Sequence, residues 1–275
     1  MCAKKMMVVT DLDGSLLDDH YSWAAAAPAL KRLKALKVPL VLNSSKTLSE
    51  MRELANSLGT MAPLVAENGG LLVVHEDAGL LNKDDALVRS GRYLIEVNGL
   101  SRDEILAQAH ALREKFEYQF SGFADWSAEQ VCEHTGLEFG MAERSLERHA
   151  TEPILWRDTS ERLVEFTEAL AKEDIRILRG GRFLHLMGMA DKADGMNAAL
   201  NLYKKQKPNT EWLVVAVGDS ANDLAMLEAA DIAVVIPHED GPHIQPKAAR
   251  VMHASAPSTV GWNEAILTII KEAGV

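Results

Sequence analysis

The sequence contains few cysteines and no long apolar segment. Its 275 residues include only two cysteines, Cys2 and Cys132, which are too few for a disulfide framework and favour a reducing compartment. No stretch approaches the roughly eighteen consecutive apolar residues that a membrane-spanning helix requires. The first apolar run ends at Thr10 and Asp11, which is too short for the core of a signal peptide. We therefore expect a cytoplasmic protein that does not interact with membranes.

Positive charge is also scarce. The chain has 29 basic and 40 acidic residues, and its formal net charge is −11. A field of this sign repels nucleic acids, so we expect no nucleic-acid partner. An anionic substrate would need a local cluster of cations. The sequence also lacks the glycine-rich dinucleotide fingerprint and the P-loop lysine motif, which removes the best support for folds that bind dinucleotides or ATP.

Apolar runs near both ends of the chain have the character of buried strands. Residues 6–9 and 39–42 lack helical periodicity, whereas residues 24–37 between them predict a crossover helix. A strand, a helix and a strand in this order indicate a parallel pair in an α/β sheet. The strongest strand pattern, residues 212–217, lies late in the chain. The sequence therefore predicts one sheet built from both ends.

The middle of the chain has a different pattern. From about residue 85 the predicted strands and helices are more amphipathic, and Ser101 with Glu104 forms a capping box at the start of one helix. We predict an α/β fold with a Rossmann-like, parallel-sheet core formed by residues 1–84 and 189–275. Residues 85–188 would form an inserted α/β cap domain.

Polar clusters follow several of the predicted strands. In open α/β sheets the ligand site lies beyond the carboxyl ends of the strands. The clusters comprise four carboxylates, two hydroxyls and two lysines: Asp11, Asp13, Asp219, Asp223, Ser44, Ser45, Lys46 and Lys192. If these loops meet, they form an arrangement suited to phosphate chemistry with a hard cation. Mg²⁺ prefers oxygen ligands, and it offsets the repulsion between an anionic nucleophile and an anionic ester.

Each fragment also has a plainer interpretation. Residues 11–14 alone could form a turn in which aspartates accept hydrogen bonds from their own backbone, and residues 218–220 could form a capped strand-to-helix turn. A calcium loop fits less well, because Leu16 and Ser22 stand where an EF-hand needs glycine and glutamate. The combination of fragments, each at a strand end, favours the phosphate site.

These motifs resemble those of the haloacid dehalogenase superfamily over nearly the whole chain. The matching positions are Asp11-x-Asp13-Gly14, Ser44, Lys192 and Gly218-Asp219-x-x-Asn222-Asp223. The inserted region and the Glu67-Asn68-Gly69 turn resemble the IIB cap subgroup of this superfamily. Within it, residues 45–47, 148–153 and 181–185 resemble mannosyl-3-phosphoglycerate phosphatases. One position departs from the pattern, since Ala193 stands where the family often has glycine.

The resemblance implies a magnesium-dependent phosphatase that acts through an aspartyl-phosphate intermediate. Asp11 would be the nucleophile, and Asp13 would protonate the leaving oxygen and then activate water. Ser44 and Lys192 would bind the phosphoryl group. The aspartates implied as magnesium ligands are Asp11, Asp13, Asp219 and Asp223. Asp223 would bind the ion directly or lie just behind another ligand.

The resemblance also implies a small phosphorylated metabolite as the partner, with mannosyl-3-phosphoglycerate as the first choice. A phosphoglycerate carboxylate needs a cation, preferably an arginine that can bind it through two nitrogens. The residues expected to contact substrate are Ser45, Lys46, Arg148, Glu152, Arg182 and Asn222. We also expect Asn222 to orient Lys192 or a carboxylate.

Three alternatives remain at the level of sequence. The protein could hydrolyse another sugar phosphate, transfer the phosphate to a second hydroxyl, or serve as a non-catalytic sensor of a phosphorylated metabolite. A sensor would not need Asp11 and Asp13 beside Lys192. We expect the cap to close about linkers near residues 84 and 188, since exclusion of bulk water protects an acyl phosphate. The sequence makes no prediction of the oligomeric state.

Overall fold

The computed structural model describes residues 3–81, 87–238 and 244–274. Cys2 and the predicted domain boundary at residue 84 lie outside these ranges.

The described residues form thirteen strands and nine α-helices, numbered here in chain order. The strands are β1 (Ala3–Thr10), β2 (Leu40–Asn43), β3 (Leu64–Ala66), β4 (Leu71–His75), β5 (Val88–Ser90), β6 (Tyr93–Val97), β7 (Phe120–Gly122), β8 (Thr151–Trp156), β9 (Arg176–Gly180), β10 (Phe183–Met187), β11 (Thr210–Gly218), β12 (Ile232–Val235) and β13 (Val251–His253). The helices are α1 (Ala27–Ala35), α2 (Leu48–Leu58), α3 (Arg102–Phe116), α4 (Ala128–Thr135), α5 (Phe139–Leu146), α6 (Ser160–Ala171), α7 (Lys192–Gln206), α8 (Leu224–Glu228) and α9 (Ser258–Ala273). None of these helices is long and apolar enough to cross a membrane.

The larger sheet forms the centre of the molecule. Within the described residues its strand order is β13-β12-β11-β1-β2-β3-β4-β6-β5. The strands from β13 to β3 pair in parallel, and β4, β6 and β5 add an antiparallel edge. This topology confirms the predicted α/β class, and both ends of the chain contribute to the sheet as predicted.

Residues 6–9 of β1 are buried on both faces of the sheet, which explains their continuous apolar sequence. Side chains of a strand point alternately to the two faces of its sheet. Val8 belongs to the core formed with α1 and α9, whereas Met7 and Val9 belong to the core formed with α7. Burial of each such side chain contributes about 1.5–3 kcal/mol, so the strand that carries Asp11 is firmly held.

The smaller sheet is antiparallel, with the order β7-β8-β10-β9. One face packs against α3 and α6 around a group of apolar and aromatic side chains. In this group Tyr118 and Phe120 lie 5.2 Å and 5.3 Å from Phe166, measured between ring centres. A second, smaller apolar group around Phe123 and Val131 packs α4 and α5 against the same unit. The unit therefore has its own core.

The observed sheets differ from the predicted division at one point. Residues 92–97 fall within the predicted inserted domain, but β6 pairs with β4 in the larger sheet. Burial of Tyr93 and Ile95 against that sheet explains the difference. The smaller sheet begins only at β7. The division into two domains itself stays a prediction.

Two edge strands, β5 and β9, were not predicted. Both lie at the end of a sheet, and none of their residues is buried. Their sequences therefore lack the apolar alternation on which strand prediction depends.

Candidate active site

The predicted polar clusters meet at one edge of the larger sheet. Asp11 directly follows β1, Ser44 follows β2 and Asp219 follows β11. Because β1 pairs in parallel with both β2 and β11, the carboxyl ends of the three strands lie side by side. The backbone N–H of Asp11 donates to the carbonyl of Val217, 2.9 Å away, which ties the first cluster to the last strand.

A buried lysine lies between two of the carboxylates. The Nζ of Lys192 lies 2.5 Å from Oδ1 of Asp11 and 2.6 Å from Oδ1 of Asp223. Lys192 is the first residue of α7, and the side chain of Asp191 caps that helix by accepting from two backbone N–H groups. Burial lowers the pKa of Lys192, but the two carboxylates outweigh burial and raise its pKa above the ordinary value. The lysine is therefore charged at neutral pH.

Asp219 completes a group of three buried carboxylates. Oxygens of Asp11, Asp219 and Asp223 lie within 4.8 Å of one another. The side chain of Asp219 accepts a hydrogen bond of 3.0 Å from Ser15, and Nε2 of His238 lies 2.5 Å from its other oxygen. Sequence reasoning missed both contacts, because it assigned no role to Ser15 or His238.

The carboxylate group fits a hard cation. Burial raises the pKa of Asp11 well above its ordinary value; Lys192 lowers it, and repulsion from the other two aspartates raises it again. Burial and then repulsion from Asp223 likewise raise the pKa of Asp219. A bound cation would offset this repulsion, and carboxylate oxygens are the kind of ligand that Mg²⁺ prefers.

Asp223 is already engaged by its own loop. Its Oδ2 accepts from the backbone N–H groups of Asp219 and Ser220, at 3.0 Å and 3.1 Å, while Oδ1 faces Lys192. A Cβ at Gly218 would lie 2.5 Å from the Cβ of Asp223, so this approach requires glycine. Asp223 thus fixes both the loop that carries Asp219 and the ammonium group of Lys192.

Asp13 lies apart from the three buried carboxylates. Its side chain is 49% exposed, and Oδ2 lies 2.9 Å from Nζ of Lys46, whose side chain is 15% exposed. Burial disfavours the charged form of Lys46, but attraction to Asp13 and Glu50 outweighs burial and raises the pKa of Lys46. Lys46 also lies 4.8 Å above the ring of Tyr21. A charged lysine therefore stands beside the more exposed aspartate.

The turn at Glu67–Gly69 holds the loop that carries Ser44 and Lys46. The N–H of Asn68 donates to the carbonyl of Ser44 (2.9 Å), and the N–H of Glu67 donates to the carbonyl of Lys46 (3.0 Å). Both turn residues have positive φ, +52° at Glu67 and +57° at Asn68. Ser44 is buried and Ser45 half-buried within this loop.

Asn222 contacts Asn68 and Ser220 rather than Lys192 or a carboxylate, the partners expected from the sequence. Its Nδ2 donates to Oδ1 of Asn68 (3.2 Å), and its Oδ1 accepts from Ser220 (2.5 Å). Among the described residues, the amide that reaches Lys192 is that of Asn43, which donates to the lysine carbonyl (2.8 Å). The substrate-binding role of Asn222 stays a prediction.

The structure does not bring Arg148 and Arg182 into contact with the aspartates among the described residues. Arg148 donates to Oγ1 of Thr151 (2.9 Å) and lies 5.5 Å from the ring centre of Phe123. Arg182 is exposed and donates to the carbonyl of His134 (2.7 Å). Their proposed contacts with substrate are untested by this geometry.

Glu152 lies inside the smaller unit. It is buried, its Oε2 lies 2.7 Å from Arg102, and its Oε1 accepts from the N–H of Ala124 (2.8 Å). Burial raises the pKa of Glu152 against the opposing effect of Arg102. Both carboxylate oxygens are therefore occupied by protein groups, and the expected contact of Glu152 with substrate stays a prediction.

A cavity of about 350 Å³ extends from Lys46 between α2 and α5. Tyr21, Trp23 and Arg144 are among the residues that line it. A larger cavity of about 620 Å³ lies next to Lys5, at the opposite end of β1 from Asp11. The smaller cavity is thus the one that adjoins the candidate site.

Residues 8–239 match the family of haloacid dehalogenase-like hydrolases. The chain is also 33% identical, over 269 residues, to a glucosyl-3-phosphoglycerate/mannosyl-3-phosphoglycerate phosphatase of Methanococcoides burtonii, a match that covers 97% of both chains. A relative of the same description from Persephonella marina is likewise 33% identical, over 97% of this chain and 98% of the relative. These matches confirm the resemblance inferred from the motifs.

Solved structures show the same fold. A haloacid dehalogenase-like hydrolase from Bacteroides thetaiotaomicron superimposes with a TM-score of 0.65 at 19% identity, covering 97% of this chain and 99% of that one. A subclass IIB sugar phosphatase superimposes with a TM-score of 0.61 at 17% identity, covering 98% of this chain and 99% of that one. Both matches therefore extend over nearly the whole chain.

Proposed function

Because the chain belongs to the haloacid dehalogenase-like hydrolases and is a phosphoric monoester hydrolase, we propose that it removes phosphate from mannosyl-3-phosphoglycerate or its glucosyl counterpart. The observation that carries the chemistry is the buried carboxylate of Asp11, held 2.5 Å from Lys192 at the carboxyl edge of the sheet. The substrate rests on the two curated relatives, each of which matches this chain over nearly its whole length.

In the first step a carboxylate oxygen of Asp11 attacks phosphorus. The bond between phosphorus and the leaving oxygen breaks, and that oxygen takes a proton from Asp13. An aspartyl phosphate remains on Asp11. The position of Asp13 supports this division of roles, because it is half-exposed and stands apart from the buried carboxylates, within reach of a leaving group.

In the second step Asp13 removes a proton from water, and the water oxygen attacks phosphorus. The acyl phosphate bond breaks, inorganic phosphate leaves, and the Asp11 carboxylate is restored. Lys192 neutralises charge on the phosphoryl oxygens, and Ser44 donates a hydrogen bond to one of them. Positioning and charge neutralisation of this kind are the main requirements of phosphoryl transfer.

The carboxylates fit magnesium as the resident cofactor. Asp11, Asp219 and the backbone carbonyl of Asp13 would hold the ion, and Asp223 would act from behind them by fixing Lys192 and the loop. Magnesium supplies charge neutralisation between the carboxylate nucleophile and the phosphate ester.

We also propose that the unit built around the smaller sheet acts as a cap over this site. Its helix α5 contacts the larger unit at the cavity beside Lys46, and the matches to solved structures extend over nearly the whole chain. A cap in this position would exclude bulk water from the acyl phosphate.

Phosphate release from a panel of esters tests the function. The panel comprises mannosyl- and glucosyl-3-phosphoglycerate, 3-phosphoglycerate and mannose 6-phosphate, each with Mg²⁺, and Asp11→Asn protein serves as the control. We expect the glycosylated glycerates to be turned over most efficiently, and Asp11→Asn to release no phosphate. Preference for a simple sugar phosphate would overturn the substrate, and full activity of Asp11→Asn would overturn the chemistry.

A further inference from the structure

We infer that the cavity between α2 and α5 binds the glycosyl group of the leaving alcohol, and that Arg144 and Tyr21 are specificity-determining residues for that group. This inference rests on the proposed function and adds the residues that recognise the sugar. The sequence-based expectation named Arg148 and Arg182, with Lys46, for the glycerate carboxylate and Glu152 for the sugar.

The short glycerate part of the leaving group limits how far its carboxylate can lie from Asp13. In 3-phosphoglycerate three bonds separate the phosphorylated oxygen from the carboxyl carbon, a span of at most about 4 Å. The oxygen must lie at Asp13 to receive its proton, so the carboxylate lies within about 4 Å of that point. Lys46, 2.9 Å from Asp13 and charged, is placed to bind this carboxylate.

The sugar must then extend beyond Lys46. It is attached to the central carbon of the glycerate, between the phosphorylated carbon and the carboxylate. Asp11 and Lys192 occupy the buried side of the site, and the space that opens from Lys46 is the cavity of about 350 Å³. Cavities that hold small organic ligands begin at about 300 Å³, so one glycosyl group fits this volume.

The side chains that line this cavity suit a sugar. The ring of Tyr21 is 50% exposed and the indole of Trp23 is partly buried, so they offer apolar faces with polar edges. Glu53, which also lines the cavity, is 74% exposed and offers an acceptor for sugar hydroxyls. Arg144, from α5, adds hydrogen-bond donors to the lining.

The backbone of Arg144 is fixed by a hydrogen bond, whereas its guanidinium group can bind a ligand. Its carbonyl accepts a hydrogen bond of 2.9 Å from Oγ1 of Thr47, the residue after Lys46, so its backbone is tied to the loop of the site. Among the described residues the one ion-pair partner of its guanidinium is Glu53, at 3.5 Å, and the arginine side chain is 36% exposed. An exposed pair of this length is weak, so most of the guanidinium donors are available to a ligand.

Paired substrates and matched variants test the inference. Arg144→Gln and Tyr21→Leu are compared with Arg179→Gln, which makes the same change at an exposed arginine of β9 outside the cavity. Each protein is assayed with mannosyl-3-phosphoglycerate and with 3-phosphoglycerate, which lacks the sugar. We expect Arg144→Gln to lose about tenfold more kcat/KM with the glycosylated ester than with the simple one, mainly through KM. Arg179→Gln should show no such difference.

Binding of the product mannosylglycerate, measured by calorimetry, shows whether the inference or the proposed function has failed. If the wild-type protein turns over neither ester but Arg144→Gln still weakens product binding about tenfold, the proposed reaction is wrong and the cavity assignment stands. If the wild-type protein is active but Arg144→Gln and Tyr21→Leu affect both esters equally, the inference is overturned. A selective loss in Arg182→Gln, with none in Arg144→Gln, would overturn it as well.

Discussion

The carboxylate of Glu67 accepts a hydrogen bond of 2.7 Å from the hydroxyl of Thr151, 84 residues further along the chain. Its two oxygens also accept from the backbone N–H groups of His149 and Ala150, at 2.8 Å and 3.0 Å. The backbone of Glu67 meanwhile donates to Lys46. One buried residue thus connects the start of β8 in the smaller unit with the loop beside Asp13.

Substitution of Glu67 by glutamine should loosen this connection. The amide would direct an N–H group towards backbone N–H donors, which costs about 1–3 kcal/mol of unfolding free energy. We expect a lower unfolding midpoint in urea together with a lower kcat, because the cap would seat less firmly over Asp13 and Lys46. Glu168→Gln, an exposed change on α6, is the matched control. Unchanged stability and turnover in Glu67→Gln would show that the connection is dispensable.

Magnesium should stabilise the protein through Asp219. At a concentration of about one hundred times Kd, a ligand that binds only the folded state adds about 2.7 kcal/mol. For a chain of this size that corresponds to a rise in Tm of roughly 5–10 °C. We expect Asp219→Asn to abolish most of the rise, whereas Asp103→Asn at an exposed position of α3 should retain it. Differential scanning calorimetry with Mg²⁺ and with EDTA measures both, and a full rise in Asp219→Asn would contradict the assigned ligand.

Stability should depend on pH through His185. Burial, aided by repulsion from Arg148, lowers the pKa of His185 from 6.5 to about 3. The unfolded chain therefore takes up a proton first, and the stabilisation present above pH 6.5 is lost as the pH falls towards 3. The loss is at most about 1.4 kcal/mol per pH unit for this one group. In His185→Phe, which keeps a planar ring but cannot titrate, the slope of unfolding free energy between pH 6 and about 4 should be correspondingly smaller. Equal slopes in the two proteins would show that His185 is not neutral in the fold.

The core of the site was predictable because parallel topology converts order along the chain into proximity. Once residues 6–9 and 212–217 are parallel neighbours, Asp11 and Asp219 must lie at the same edge. In the structure the helix that begins at Lys192 is capped by Asp191, a favoured residue type for this position. These predictions needed only local patterns and the direction of the strands.

Recognition of the leaving group was not predictable in this way. Arg144, Arg148 and Arg182 all lie in the smaller unit, and the sequence does not show which of them lines the cavity beside Lys46; in the structure it is Arg144. That choice depends on how α5 packs against α2, a contact between residues almost one hundred positions apart. The sequence predicts only a turn at Glu67, because the residues that it contacts, 149–151, lie more than eighty positions further along the chain.

The division of labour between Asp11 and Asp13 predicts that the aspartyl phosphate can be trapped. An aryl phosphate has a leaving group that needs no proton, so Asp13→Asn should still complete the first step. The second step needs a base to activate water, and loss of such a base slows a reaction by about 10²- to 10⁴-fold. Phosphorylated protein should therefore accumulate in Asp13→Asn, detected by mass spectrometry after rapid acid quenching, and be absent from the Asp11→Asn/Asp13→Asn double variant. Accumulation in that double variant would place the phosphate on another residue, and rapid turnover by Asp13→Asn would remove Asp13 from the second step.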